Sequence, residues 1–237
     1  MEIGIIEAPT VKQLFIEKIA GMIINGELRP GQRLPSEREL AAQAHISKSA
    51  VHLAMAELER LGFVETSARH GTYVCDYAKT GTIETLSLLV ALNNGQGFMD
   101  HSRMKDMLDM RNAIEGKAVE RLAEKMSDED IAILEADVRK CEEAAEGKDI
   151  HQLAKTFFDF HHDICFTSGN FILPLLFNSF RTVTLSYWEY AIRMLGSEKC
   201  MRLLKDLFAV LKTRDAEASK AFLKEELRMF MEMNSRR

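Results

Sequence analysis

With 237 residues, 46% of them hydrophobic and 28% charged, the chain has the length of two ordinary domains and the composition of a soluble globular protein, which excludes disordered and fibrous classes. Its formal net charge of −5 provides no global attraction to nucleic acid, so any such partner must meet a local basic face. No run approaches the roughly 18 apolar residues of a membrane span, MEIGIIEAPT lacks the basic start and apolar core of a secretory leader, and Cys75, Cys141, Cys165 and Cys200 are scattered without C-x-x-C spacing, so free, mostly buried thiols in a cytoplasmic protein are expected.

Residues 9 to 25 open with Pro9-Thr10 and carry Val11, Leu14, Phe15, Ile19, Met22 and Ile23 at helical spacing, which predicts a first helix ended by Asn25-Gly26. Pro30-Gly31 signals a turn. Ser36 and Glu39 form the S-x-x-E pattern of a capping box, predicting a helix through about Ala44. His45-Ile46 makes the next turn, and Ser47 caps a second helix running to about Leu61. On that helix Val51, Met55, Leu58 and Leu61 share an apolar face, while Ser47, Lys48, Ser49 and His52 lie on its N-terminal, outward side. Gly62 supplies the stop, and residues 63–66 and 72–75 read as two strands around a loop from Ser67 to Gly71. Helix, turn, helix and ribbon make a winged helix-turn-helix over residues 1–76, whose second helix fits a DNA major groove. That segment holds 8 Lys/Arg against 10 Asp/Glu, so two copies are expected to be needed to gather enough phosphate contacts.

The polar stretch from Asp76 to Thr82 reads as a hinge, and Ile83 to Leu92 as a connecting helix followed by the loop Asn93 to Gly97; residues 77–99 are thus a linker with a connecting helix. From residue 100 to 237 every segment reads helical. Helices are expected over Ser102–Lys125, with Met104 among its apolar positions, from Ser127 to about Gly147, over Asp149–Thr167, as one long helix after Pro174 up to Gly196-Ser197, to about Leu211, and from Ala216 to Met233. The fold expected is mainly α, an N-terminal winged helix-turn-helix with a small β-ribbon plus a C-terminal all-α bundle of about six helices with room for an interior cavity.

The run PGQRLPSERELA, followed by SKSAV, LERLGFVET and RHGTYV, resembles the DNA-binding domain of GntR-family transcription regulators over nearly all of residues 10 to 75. In this family the arginine after P-S-E, the polar residues opening the recognition helix and the glycine-tipped wing touch DNA. The resemblance therefore implies that Arg38, Ser47, Lys48, Ser49, His52, Arg69, His70 and Gly71 do so here. Lys48 and His52 stand where arginine is usual, and His45 where the turn usually has glycine. Lysine lacks the bidentate fork of arginine and a neutral histidine donates once, so base preference is expected to differ from the family's common operators.

Three fragments of the helical part resemble the FCD effector-binding domain of FadR-type members: Arg111-Asn-Ala-Ile-Glu115, Phe160-His161 followed by Asn170 in S-G-N, and Asp215-Ala-Glu-Ala. Many such domains hold a divalent metal with an aspartate, a histidine four residues on, and two histidines in the last two helices, a donor set that suits zinc or nickel. Here His161 keeps the first histidine position, but Phe157, Leu204 and Glu226 fall where the other ligands belong, so no metal and no cofactor are expected. A rebuilt site would have to draw on Asp159, His161, His162, Asp163 and Glu226. The effector residues expected are Arg111, His161, Tyr187 and Glu226, with Arg111 either gripping an acidic ligand or paired internally with Glu115. Phe157 and Leu204 make the cavity more apolar, which favours an organic acid with a hydrocarbon portion. The chain contains no phosphate loop and no G-x-S-x-G, so it is not read as an enzyme. The expected function is a ligand-responsive, homodimeric transcription regulator on a palindromic DNA operator, without membrane contact; the alternatives are a metal-dependent regulator with a rebuilt site and a module that binds protein rather than DNA.

Overall fold

The computed structural model describes residues 9–92 and 101–234, the side chains at 101–104, 231, 233 and 234 excepted. Two compact units divide the chain between Leu92 and Asn93. The expected loop from Asn93 to Gly97 and the side chain of Met104 lie outside the described residues.

In the first unit, α1 (Val11–Ile24) is capped by the Thr10 hydroxyl, which accepts from the backbone of Gln13. Its buried stripe is Phe15, Ile16, Ile19, Ala20 and Ile23, which corrects the expected one: Val11 and Leu14 are both half exposed, because the face set against the recognition helix is turned toward Ile16 and Ala20. The helix α2 (Glu37–Ala44) begins with the complete capping box of Ser36 and Glu39. It ends at His45 in the left-handed region, φ 54°, a conformation that glycine takes without steric cost and histidine does not. The recognition helix α3 (Lys48–Arg60) starts at the Ser47 cap and buries Val51, Ala54, Met55 and Leu58. The ribbon strands β1 (Val64–Ser67) and β2 (Gly71–Val74) pair antiparallel, each one residue displaced from expectation. The segment before α2 lies along β2, with Leu34 donating to the Thr72 carbonyl at 2.8 Å and Gly31 to that of Val74 at 2.8 Å.

The stretch expected to be a hinge is instead a short helix, α4 (Tyr77–Thr80), fastened to the end of α3. The Thr80 hydroxyl donates to the Gly62 carbonyl at 2.7 Å. The helix α5 (Ile83–Leu92) continues on the same core: Leu88 and Leu92 pack against it, and Thr85 donates to the Leu61 carbonyl at 2.6 Å. Apolar burial and satisfied hydroxyls therefore hold the connecting helix on the winged unit.

Seven helices make up the second unit among the described residues, one more than expected. They are α6 (His101–Lys125), α7 (Asp128–Glu146), α8 (Ile150–Thr167), α9 (Ile172–Ser179), α10 (Arg181–Leu195), α11 (Ser197–Lys212) and α12 (Ala216–Asn234). The extra helix arises because the segment after Pro174 breaks at Phe180, so the single long helix expected there is two. Gly196, with φ 83°, separates α10 from α11. Ser127 and Asp130 close the second capping box, and Asp149 caps α8. α8 is the central helix: it packs on α6, α7, α9 and α10, while α12 lies along α6. Phe157, Phe158, Phe160, Leu153 and Ile164 are all buried on it, and Leu204, Leu207 and Leu211 face inward from α11.

Candidate functional site

On the winged unit, the residues that the sequence marks for DNA are brought to the surface. Arg38, Ser47, Lys48, Ser49 and His52 are exposed around the start of α3, as are Arg69 and His70 at the wing, while Gly71 is half-buried. Arg69 holds a left-handed conformation, φ 68°, and Gly71 has φ 105°; together they close the tip between the strands. A Cβ at Gly71 would meet the guanidinium of Arg33, so glycine leaves room for that side chain beneath the wing. Among the described residues, Arg38, Lys48 and Arg69 form no ion pair, so their charges are available to phosphate. Ser47 is committed to structure: it accepts from the backbone of Ala50 and bonds the Ser49 hydroxyl at 3.1 Å. His52 is not solitary either, since its Nδ1 lies 2.8 Å from Glu37 Oε1. Glu37 was missed in the sequence, where position 15 residues upstream on another helix carries no local signal.

In the helical unit, Arg111, His161, Tyr187 and Glu226, drawn from four helices, are almost fully buried together. The guanidinium of Arg111 spends its fork on Glu115: Nε donates to Oε1 at 2.5 Å and Nη2 to Oε2 at 2.8 Å. His161 Nδ1 lies 2.9 Å from Glu115 Oε2, so one carboxylate organises both side chains. The Arg111 Cζ sits 4.8 Å from the ring centroids of both Tyr187 and Trp188, and the His161 ring stacks on Trp188 at 5.1 Å. Phe157 meets Trp188 edge-on at 5.0 Å, filling the place of a ligand with a ring.

The electrostatics follow from burial around this carboxylate. Burial works against the charge of Glu115, yet Arg111 and then His161 hold its pKa down at about 2. Burial lowers the pKa of His161 against the pull of Glu115, which leaves the ring neutral with its proton on the nitrogen facing the carboxylate. Glu226 has no such partner: burial pushes it up to about 7 against the attraction of Arg111, and Glu115 and Asp206 add to the rise. Burial also raises the Tyr187 hydroxyl above its ordinary range. Six buried polar atoms of this region have no hydrogen-bond partner: Arg111 Nη1, His161 Nε2, Thr184 Oγ1, Tyr187 Oη, Trp188 Nε1 and Glu226 Oε2. Trp188 and Thr184 were not singled out in the sequence, where an aromatic run on a helix reads as ordinary core. A surface cleft of about 770 Å³ lies elsewhere, between α7 and α11, lined by Glu142, Glu146, Glu198 and Arg202. It is open and charged, and the Lys205–Glu142 ion pair at 2.5 Å spans its walls.

The metal arrangement of related domains does not fit these residues. Phe157 and Leu204 are buried apolar side chains, and His161 has one nitrogen engaged by Glu115. The residues of a rebuilt site are dispersed among other partners, His162 with Asp163 at 3.0 Å and Asp159 with Arg181 at 3.6 Å. Among the described residues no group of three or more His, Cys, Asp or Glu is placed to hold a metal. No helix among them is long and apolar enough to cross a membrane.

Comparison with known proteins agrees with this architecture. Residues 106–229 match the model of the FCD domain, and residues 13–74 that of the bacterial regulatory proteins of the gntR family. The chain is 29% identical over 184 residues to the Glc operon transcriptional activator of Escherichia coli, covering 73% of this chain and 70% of that protein. It is 28% identical over 157 residues to the HTH-type transcriptional regulator LutR of Bacillus subtilis, covering 66% and 68%. The solved structure of Lar, which controls expression of the Listeria monocytogenes agr system, shares the fold at a TM-score of 0.66 and 16% identity, covering 97% of this chain and 99% of that one. With a winged unit and an FCD domain in one chain, the protein belongs to the gntR family of bacterial DNA-binding transcription regulators.

Proposed function

We propose that the protein is a cytoplasmic, homodimeric regulator that binds a palindromic operator and changes its affinity for DNA when a small organic acid with an apolar portion enters the helical domain. On this reading residues 1–76 read DNA through Arg38, Ser47, Lys48, Ser49, His52, Arg69, His70 and Gly71, residues 77–99 connect, and residues 100–237 bind effector and partner subunit. The observation that carries the effector half is the set of buried, unpartnered polar atoms on Arg111, His161, Tyr187, Trp188 and Glu226 inside an aromatic shell. Leaving such atoms unsatisfied costs about 1–3 kcal/mol each, and a ligand supplying acceptors to the N–H and O–H groups and a donor to His161 Nε2 recovers that cost on binding. Because Glu115 occupies the fork of Arg111, the ligand carboxylate would meet Nη1, the Tyr187 hydroxyl and the indole N–H. The rings fill the interior in this conformation, so entry shifts the unit toward a second arrangement, and that shift biases the spacing of the two recognition helices.

Operator fragments enriched from genomic DNA provide the test. Affinity should fall steeply with salt, and Arg38→Ala and Lys48→Ala should each weaken binding by about 1–3 kcal/mol. Sedimentation at micromolar concentration should give a dimer. A panel of mono- and dicarboxylic acids, followed by Trp188 fluorescence and operator affinity, should yield at least one acid that changes both. Unaltered binding by both alanine variants would overturn the DNA-facing assignment, a monomer of full affinity the dimer, and a panel without effect the acidic effector.

A further inference from the structure

The outward face of α3 carries a pair that the general reading of this fold does not explain. The buried residues Val51, Ala54, Met55 and Leu58 define the inner face of the helix. At about 100° per residue, the opposite pole falls on Ser49 and Ala56, flanked by His52 on one side and Leu53 on the other. His52 and Leu53 are both exposed, Leu53 at 59%. Among the described residues, Leu53 is not one of the hydrophobic side chains packed on the core of its unit. The small side chains of Ser49 and Ala56 let this part of the helix approach a groove floor closely.

The chemistry of His52 is fixed by Glu37. A carboxylate only accepts hydrogen bonds, so the Nδ1 atom 2.8 Å from Glu37 Oε1 carries the proton. In the neutral form of the ring this leaves Nε2 as a lone-pair acceptor on an exposed side chain. In the major groove the donors are the exocyclic amines, N6 of adenine and N4 of cytosine, whereas guanine shows only acceptors and would face that lone pair unfavourably. An apolar side chain in the same groove finds its partner in the C5-methyl group of thymine. Amine and methyl together are offered by A·T pairs.

We infer that His52, oriented by Glu37, and Leu53 read neighbouring A·T pairs in each half-site, His52 Nε2 accepting from an adenine N6 amine and Leu53 touching a thymine methyl. This rests on the DNA-facing placement of α3 proposed above. It assigns Glu37 the part of a positioning residue, which sets the tautomer of the reader without touching DNA.

The test is a binding selection at pH 8 with the full-length protein on a randomised duplex library, followed by single-atom changes in the enriched site. Replacing the critical adenine by deoxynebularine, which lacks the N6 amine, should weaken the parent about three- to tenfold and leave His52→Ala unchanged. Replacing the critical thymine by deoxyuridine, which lacks the methyl, should weaken the parent about threefold and leave Leu53→Ala unchanged. His52→Arg should shift the preferred base at the histidine's position to guanine, and Glu37→Gln should relax the preference there while keeping non-specific affinity. Analogues that cost the variants as much as the parent would overturn the inference, as would guanine enriched by the parent at that position. Either result leaves the DNA-facing placement standing, because a specific site has still been selected. Enrichment of no site at all would instead overturn that placement and this inference with it.

Discussion

Glutamine in place of Glu226 should stabilise the helical unit at neutral and alkaline pH and do little in acid. The carboxyl is buried with one oxygen unpartnered, and its pKa rises from 4.5 to about 7. A raised carboxyl favours the protonated form in the folded state, so its contribution is fully present below the unfolded value of about 4.5. It is lost as pH rises through about 7, where the folded protein must ionise the group in an apolar interior. At about 1.4 kcal/mol per tenfold in proton affinity, the loss reaches about 3 kcal/mol above pH 7.5. The amide of glutamine is nearly the same size and never ionises, so the advantage of Glu226→Gln over the parent should be below about 1 kcal/mol at pH 5 and about 3 kcal/mol at pH 8. Urea unfolding of both proteins at pH 5, 6, 7 and 8 measures it. The single tryptophan, Trp188, lies in the same cluster and reports that unit alone. A difference between the two proteins that stays constant across this pH range would refute the reasoning, since it would mean that Glu226 does not change protonation between pH 5 and 8.

Glu115→Ala should destabilise the helical unit by about 3–5 kcal/mol, because it leaves the buried guanidinium of Arg111 without its counter-charge; the same unfolding assay checks it. In the parent, the Glu115 carboxyl sits at about 2 against 4.5 unfolded, so its contribution is intact above about 4.5 and lost as pH falls toward 2, where acid unfolding should set in. Gly62→Ala should cost at least about 2 kcal/mol, measured by thermal unfolding of the winged unit, since a Cβ there, at φ +74°, would run into the Thr80 carbonyl and lever α4 away from α3.

The sequence by itself determined what local chemistry can specify. Two capping boxes, at Ser36–Glu39 and Ser127–Asp130, and the caps at Ser47 and Asp149 fix where helices begin, because a side-chain oxygen three residues or fewer from an orphan N–H needs no tertiary context. The apolar spacing of Val51, Met55 and Leu58 likewise sets the inner face of the recognition helix, and hence which residues point outward. Only the tertiary structure decided the rest. Asp76 to Thr82 reads as a polar hinge, yet Thr80 and Thr85 find the carbonyls of Gly62 and Leu61, so the hinge is docked. Val11 and Leu14 fit the helical spacing of α1 but stay exposed, because the face that α1 buries carries Ile16 and Ala20 instead. The fork of Arg111 had two possible partners in sequence, and the burial of Glu115 one turn away, with His161 arriving from α8, gave it to the internal pair. The pairing of Glu37 with His52 joins two helices through a turn whose left-handed residue, His45, sets their angle; neither residue carries that information alone, and only their packed arrangement creates it.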